Sequence, residues 1–597
     1  MVKRKLINIK IFIPVKTLHN MFLAALIICF SFHDLPGKNE ERKSDVLQIS
    51  DLGLYPNTNE DATPFLIKAI EICKKEKKHG LKFLPGRYDF YPENSRKEEL
   101  FISAHDHIPT RNIGIYIRDM EGFTLDGSSS DFVFHGSMLP ISLIDNKYVT
   151  LKNFSIDFEK PHFSQAYIKT VMPEYIDILF PDDVNYNVKN HKLYLESDLG
   201  ELEIQAFMEF DTKNKFIIWN SGDFGGYEKV ESIKNNEVRI YGIKRKVQQG
   251  NTLFMRNTSR PNPGILSWRC VNVKMENIDI HWAQGMGTLS QRCENITMDR
   301  VNVRLKEESN RFFTTVDALH FTACKGIVSV CNGIYENMQD DAINIHGDYL
   351  QIQEIAPERT RMVIVYKHPQ SFGYEAVLDG EAIQLIDSET MLPLSKTKVQ
   401  KSNRIDDYHI EIFCEDIVPD EVTIGDCIEN IEWVPEVVYK NNIIKNNRAR
   451  GALFSTPQKI VVENNYFEQC SGSAILFSSD CNSWFLSGAC HHVIIKNNHF
   501  NLCMTSKYQY CEGIISIYPE IKKDAVNQYY HSNISIMDNK FTAIPGAILV
   551  YAKSVDGITI KLNRLQLYSG ENNSSYEPLK FTNCKEVEVK RNKGIKK

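Results

Sequence analysis

The sequence predicts an all-β chain wound as a right-handed parallel β-helix, with two small antiparallel β-barrel modules inserted into it. Three observations carry this. Short strand-like strings recur along the chain, many with asparagine at the bend. An offset of 24 residues lays Asp317-Ala318-Leu319 over Asp341-Ala342-Ile343, and the flanking strings repeat with nearly the same period. Two stretches of roughly 90 residues, Ala166 to Arg256 and Tyr349 to Trp433, break the repeat with an alternating β pattern and lack the asparagine bend.

The elements follow in chain order. Residues 1–36 are expected to be an export signal: Lys3, Arg4, Lys5 and Lys10 precede an apolar stretch from Met21 to Phe32, and a polar run follows from Gly37 to Asp45. About a dozen apolar residues are too few to span a bilayer comfortably. Cys29 offers a possible lipid anchor, although Ile28 is bulkier than the small residue expected before a lipidated cysteine. No later stretch is long and apolar enough to cross a membrane. The protein is therefore expected in the periplasm or at the cell surface of a Gram-negative-type bacterium.

Residues 46–165 read as a cap and the first coils. Asn59 is placed to cap a helix through Ala69 and Ile72, and Lys82 to Leu84, Pro85-Gly86 and Tyr88 to Phe90 read as strand, turn, strand. Such a cap covers the open end of a coil stack. Coils then alternate with modules: the first module over 166–256, coils over 257–348, the second module over 349–433, and coils over 434–597. Asn153, Asn277, Asn442, Asn465, Asn498, Asn539, Asn563 and Asn592 mark the bends. Asparagine tolerates left-handed backbone and stacks its amide along a coil axis. Removing the second module brings Arg450-Gly451-Ala452 into register with Asp341-Ala342-Ile343. The column is then expected to run through Gly472-Ser473-Ala474, Glu512-Gly513-Ile514 and Pro545-Gly546-Ala547.

Bulk properties narrow the partners. The 597 residues are 42% hydrophobic and 24% charged, with a formal net charge of −6. That balance has no basic footprint for nucleic acid, and it disfavours a groove for a polyanionic polysaccharide. A neutral glycan fits better. The 14 cysteines are scattered in a chain too long to need disulfide staples. Cys324, Cys331, Cys470 and Cys503 read as buried thiols, and Cys481 with Cys490 is the pair that brackets a loop.

The chemistry resides in Asp317 of V-D-A-L-H-F and in Asp340 and Asp341 of Q-D-D-A-I-N-I-H-G. Residues one coil apart stack about 4.8 Å apart, so the overlay crowds three carboxylates with Arg450. Crowded carboxylates can hold one proton near neutrality while their neighbours stay ionised, which glycoside hydrolysis requires. A strand alternates its side chains, so Asp340 and Asp341 are expected to diverge, consistent with the 6.5–9.5 Å spacing typical of an inverting enzyme. Calcium would prefer more carboxylates and no arginine alongside. His346 is placed either to tune the aspartates and meet sugar hydroxyls or to serve structure alone, and His320 is expected to be a bystander. Trp484, on a loop, is expected either to stack on a sugar face or to anchor that loop. Asp480 and Glu512 are candidate hydroxyl-binding acids, and Arg450 is a further candidate substrate-binding residue.

The cap, the asparagine-laddered coils, the two modules and the V-D-A-L-H-F and Q-D-D-A-I-N-I-H-G strings together resemble glycoside hydrolase family 110. The likeness covers essentially the whole mature chain. It implies an inverting exo-α-1,3-galactosidase that releases terminal galactose from glycans, including the blood group B determinant. It also implies Asp317, Asp340 and Asp341 as catalytic residues, with no metal or cofactor. The layout is similar to the polygalacturonases too, but I-H-G and R-A-R-G stand where those enzymes have G-H-G and R-I-K. By that analogy Asp340 is the acid, with Asp317 and Asp341 as a paired base. The alternatives are a polygalacturonase-like hydrolase or lyase, and a non-catalytic glycan-binding β-helix.

Overall fold

The computed structural model of the protein describes residues 45–160, 164–257, 259–568 and 577–595. The expected export signal and Cys29 lie outside the described residues. Among those described, no helix is long and apolar enough to cross a membrane.

The chain is a parallel β-helix. One face stacks Ile265–Trp268, Thr288–Gln291, Leu319–Thr322 and Ile343–Ile355 in parallel, and continues through Leu453–Phe454, Ile475–Phe477 and Ile515–Ile517. A second face stacks Val271–Ile280, Glu294–Val303, Lys325–Cys331, Glu436–Lys440 and Lys459–Glu463. A third, shorter face runs from Ile334–Glu336 through Ile443–Lys445 and Tyr466–Glu468 to His499–Asn501. Inward positions carry Ile, Val, Leu and Phe, which form one continuous core along the coil axis. Burying apolar side chains at every coil is what holds such a stack together.

The bend between the second and third faces holds an amide ladder. The side-chain nitrogen of Asn442 donates to Oδ1 of Asn465 at 3.1 Å, and the links to Asn498, Asn539, Asn563 and Asn592 follow at 3.0, 3.0, 3.0 and 3.1 Å. The labour divides differently from the sequence expectation. Left-handed backbone falls on the residue before each ladder member, as at Asn441, Asn464, Asn497 and Asp538, while the ladder asparagine supplies the amide. Asn153 and Asn277 form a separate link at 3.1 Å, and both are themselves left-handed.

The helical cap spans Thr63–Glu76, and its first turn is held by Asp61, whose Oδ1 accepts the Thr63 N–H at 2.9 Å; Asn59 is not the cap. The first module forms an antiparallel sheet from Ser164–Val171 to Thr252–Arg256, with a three-stranded sheet over Tyr186–Glu203. The second module closes on itself. The distal half of Ile343–Ile355 pairs with Arg361–Val365, then His409–Cys414, Pro393–Arg404, Ala382–Ile386 and Cys427–Asn430 follow, and the last returns to Tyr349–Gln351. A closed barrel leaves no open edge. Cys481 and Cys490, the pair that brackets a loop, are both free buried thiols, and the Cys490 thiol points at the Phe454 carbonyl.

Candidate active site

Register places the aspartates. Leu319 pairs with Ile343, and Asn344 with Leu453, so Asp317, Asp341 and Arg450 share one column. Beyond Arg450 the column departs from the string overlay by one residue. Leu453 pairs with Leu476 and Ile475 with Ile515, which puts Ser473 and Gly513 in line with Arg450. Glu512 thereby falls in the column of Asp340, three coils away, and makes no contact with the aspartates that would draw it into the site.

One oxygen from each of Asp317, Asp340 and Asp341 lies within 4.8 Å of the others. The wide separation expected of Asp340 and Asp341 is therefore not found, because the strand is interrupted at this point and the two side chains are not held on opposite faces of a regular pleat. Asp341 is sealed at 1% side-chain exposure, with Oδ2 accepting from Arg450 Nη2 at 2.8 Å and Oδ1 from the Arg450 backbone N–H at 3.0 Å. Its own backbone N–H donates to Asp317 Oδ1 at 3.2 Å. The other Asp317 oxygen lies 2.8 Å from His320 Nδ1. Asp340 is the most open of the three, at 17% side-chain exposure, and its Oδ1 has no hydrogen-bond partner.

The three carboxyls differ in how readily they ionise. Burial opposes ionisation of Asp340, but the guanidiniums of Arg448, Arg450, Arg260 and Arg256 outweigh it and hold the carboxyl below the usual range. Burial, reinforced by the Asp340 charge, pushes Asp317 up to about 7. Burial pushes Asp341 up as well, with Arg450 opposing. Oxygens this close are also spaced to hold a cation, but the guanidiniums already bring the counter-charge.

Sequence reasoning missed most of that arginine shell. Arg448 stands two residues before Arg450 in the R-A-R string. Arg256 and Arg260 come from the exit of the first module, and no coil register points to them. The same module supplies Asp223, which bonds Arg448 through Nε at 2.7 Å and through Nη2, and Arg256 at 3.0 Å.

Several expected substrate contacts are placed otherwise. His346 is buried, with Nδ1 on the Gly347 carbonyl and Nε2 on His320. His320 is no bystander, since it touches Asp317. Arg450 is engaged with Asp341. Asp480 is buried, and its Oδ1 accepts the backbone N–H groups of Asn482, Ser483, Trp484 and Phe485, so it builds the loop. Trp484 is 37% exposed and stacks on His368 at 4.3 Å. Burial lowers His368, and the Arg260 charge lowers it further, so this aromatic edge adjoins the arginine shell.

Residues 164–253 match the family model described as GLAA-B beta-barrel domain I, residues 361–428 match GLAA-B beta-barrel domain II, and residues 423–565 match the right handed beta helix region. An "Alpha-1,3-galactosidase B" of Phocaeicola vulgatus is 40% identical over 89% of this chain and 93% of its own length. Proteins of the same name from Parabacteroides distasonis and Bacteroides fragilis are each 38% identical, over 86% and 91% of this chain and 87% and 94% of theirs. The chain belongs to this family, glycoside hydrolase family 110. Among solved structures, an exopolygalacturonase from Thermotoga maritima matches at 10% identity and a TM-score of 0.38, covering 91% of each chain. Within family 110 the matched models set the modules at 164–253 and 361–428, on either side of the coils that carry Asp317, Asp340 and Asp341.

Proposed function

We propose that this family 110 glycoside hydrolase is an exo-acting, inverting α-1,3-galactosidase, exported from the cell, that releases terminal α-1,3-linked galactose from glycans such as blood group B structures. The carrying observation is the trio Asp317, Asp340 and Asp341, packed within 4.8 Å beside Arg450 in a chain 40% identical to a protein named alpha-1,3-galactosidase B. One carboxyl protonates the departing oxygen and the others handle water. Family likeness supports inversion. The short carboxyl spacing favours a second reading, retention through a glycosyl-enzyme.

Proton NMR of the first minutes of hydrolysis of an α-1,3-galactosyl disaccharide separates the two. The expected first product is β-galactose; α-galactose would overturn inversion, and no galactose would overturn the substrate.

Position and charge bear differently on the acid. Asp340 has the most exposed carboxyl of the three, whereas burial favours the resting proton on Asp317 and Asp341. Each aspartate changed to asparagine is expected to lose about 10²–10⁴-fold in kcat on the disaccharide, with the fold intact. Replacing Asp340 as the acid leaves an aryl galactoside with a good leaving group hydrolysed much better than the disaccharide. If Asp317→Asn shows that selective rescue and Asp340→Asn does not, Asp317 is the acid.

A further inference from the structure

Three contacts behind the aspartates form a line. Asp317 Oδ2 lies 2.8 Å from His320 Nδ1, His320 Nε2 lies 3.0 Å from His346 Nε2, and His346 Nδ1 lies 2.8 Å from the Gly347 carbonyl. The far end fixes the direction. A carbonyl can only accept, so His346 Nδ1 carries a hydrogen. Neutral His346 then has a lone pair on Nε2, and the 3.0 Å contact requires a hydrogen on His320 Nε2. Neutral His320 in turn presents a lone pair at Nδ1, and two acceptors do not sit 2.8 Å apart, so the hydrogen between His320 and Asp317 belongs to Asp317 Oδ2.

We propose that His320 and His346 are positioning residues forming a hydrogen-bond chain of fixed direction, anchored on the Gly347 carbonyl, that keeps one proton on the Asp317–His320 pair. This rests on the reading of Asp317 as a member of the catalytic trio. When a step requires Asp317 as a carboxylate, its O–H bond breaks and an N–H bond forms at His320 Nδ1. The pair passes from neutral acid and neutral imidazole to carboxylate and imidazolium, with no change in net charge. Asp317 can then act as a carboxylate without adding net charge to the site.

The surroundings suit such a chain. Both histidines are 3% exposed. His320 faces His105, Arg260 and Asp340, and His346 faces Asp348, which itself bonds Tyr374. Asp317 faces Asp340, Asp341, Arg260 and Arg450. Burial holds His320 down to about 3 and His346 to about 4, so both are neutral through the working range. Gly347 is held too: a β-carbon there would meet Ser487 Oγ at 2.5 Å, in the strand that closes over it.

The test uses the full chain labelled with ¹⁵N-histidine, in which long-range proton–nitrogen NMR reads each imidazole's tautomer and charge. Signals lost in His320→Asn and His346→Gln assign the pair. The expected result is His346 protonated at Nδ1, His320 protonated at Nε2, and both neutral from pH 5.5 to 8. The opposite tautomer at either ring, or a cationic ring at pH 5.5, overturns the proposal, and this readout needs no substrate.

Kinetics supply the second arm. In His320→Asn the amide N–H donates to Asp317 and favours its carboxylate, so the kcat–pH limb that Asp317 governs is expected to fall by about one pH unit, with KM within about twofold. In His346→Gln the amide oxygen still accepts from His320, and the limb is expected to stay within about 0.3 unit. Equal losses of kcat with unmoved limbs in both variants overturn the chain as a proton-holding device. A wild-type protein that fails to cleave the disaccharide while showing the expected tautomers refutes the proposed function and leaves the chain standing.

Discussion

Glu429 shows how one buried carboxyl can make a module sensitive to pH. It lies on the strand Cys427–Asn430 that closes the second barrel, where Gln384 Nε2 donates to it at 3.1 Å. Burial pushes it up to about 7, against the hydrogen bonds from Ser487 and Gln384 that favour its charge. Folded protein therefore keeps a proton here that unfolded chain releases above about 4.5, so the contribution to stability is full at low pH and is lost as pH rises through 7. Glu429→Gln is expected to gain on wild type by roughly 3 kcal/mol between pH 5 and pH 8. Melting temperatures of both proteins at the two pH values check this, and a difference that does not change with pH would refute it. The residue-level reading of the site was uneven for a related reason. Asp317, Asp340, Asp341 and Arg450 were legible because they fall in repeating strings. The loop-building role of Asp480 was not legible, because an acid in a loop looks the same in sequence whether it meets a sugar or four backbone N–H groups.

At the scale of elements, the coil stack depends on its amide ladder as well as on its apolar interior. Asn498 accepts from the backbone and side chain of Asn465 and donates to Val462, Lys496 and Asn539, all at 2.9–3.0 Å. Asn498→Ala leaves several of these buried groups unpaired, and a loss of about 3 kcal/mol is expected. Asn592 ends the ladder half-exposed, where water can take over its bonds, so Asn592→Ala should cost far less. Thermal melts compare the two, and equal losses would mean that the ladder is incidental to stability. The ladder positions were legible from asparagine spacing of 23 and 24 residues. The left-handed residue before each one was not, since at Leu562 and Arg591 the conformation falls on side chains that do not signal it.

At the scale of the molecule, the first module completes the site that the coils begin. Asp223 bonds both Arg448 and Arg256, two of the cations whose charge keeps Asp340 ionised. Asp223→Asn removes a charge shared by two enclosed guanidiniums and frees Arg448 to close on Asp340, so kcat/KM is expected to fall about tenfold. Steady-state rates on the disaccharide test this, and an unchanged kcat/KM would reduce the module to a structural insertion. The sequence by itself determined the β-helix, the two insertions and the carboxylate trio, because a repeat writes its own register: equivalent residues recur at coil intervals and must stack. Tertiary structure alone decided the arginine shell, the charge on each aspartate and the histidine chain. Those depend on groups such as Asp223, Arg256 and Arg260 that enter from outside the repeat, and on burial, which sets a proton's location through distances that no spacing along the chain records.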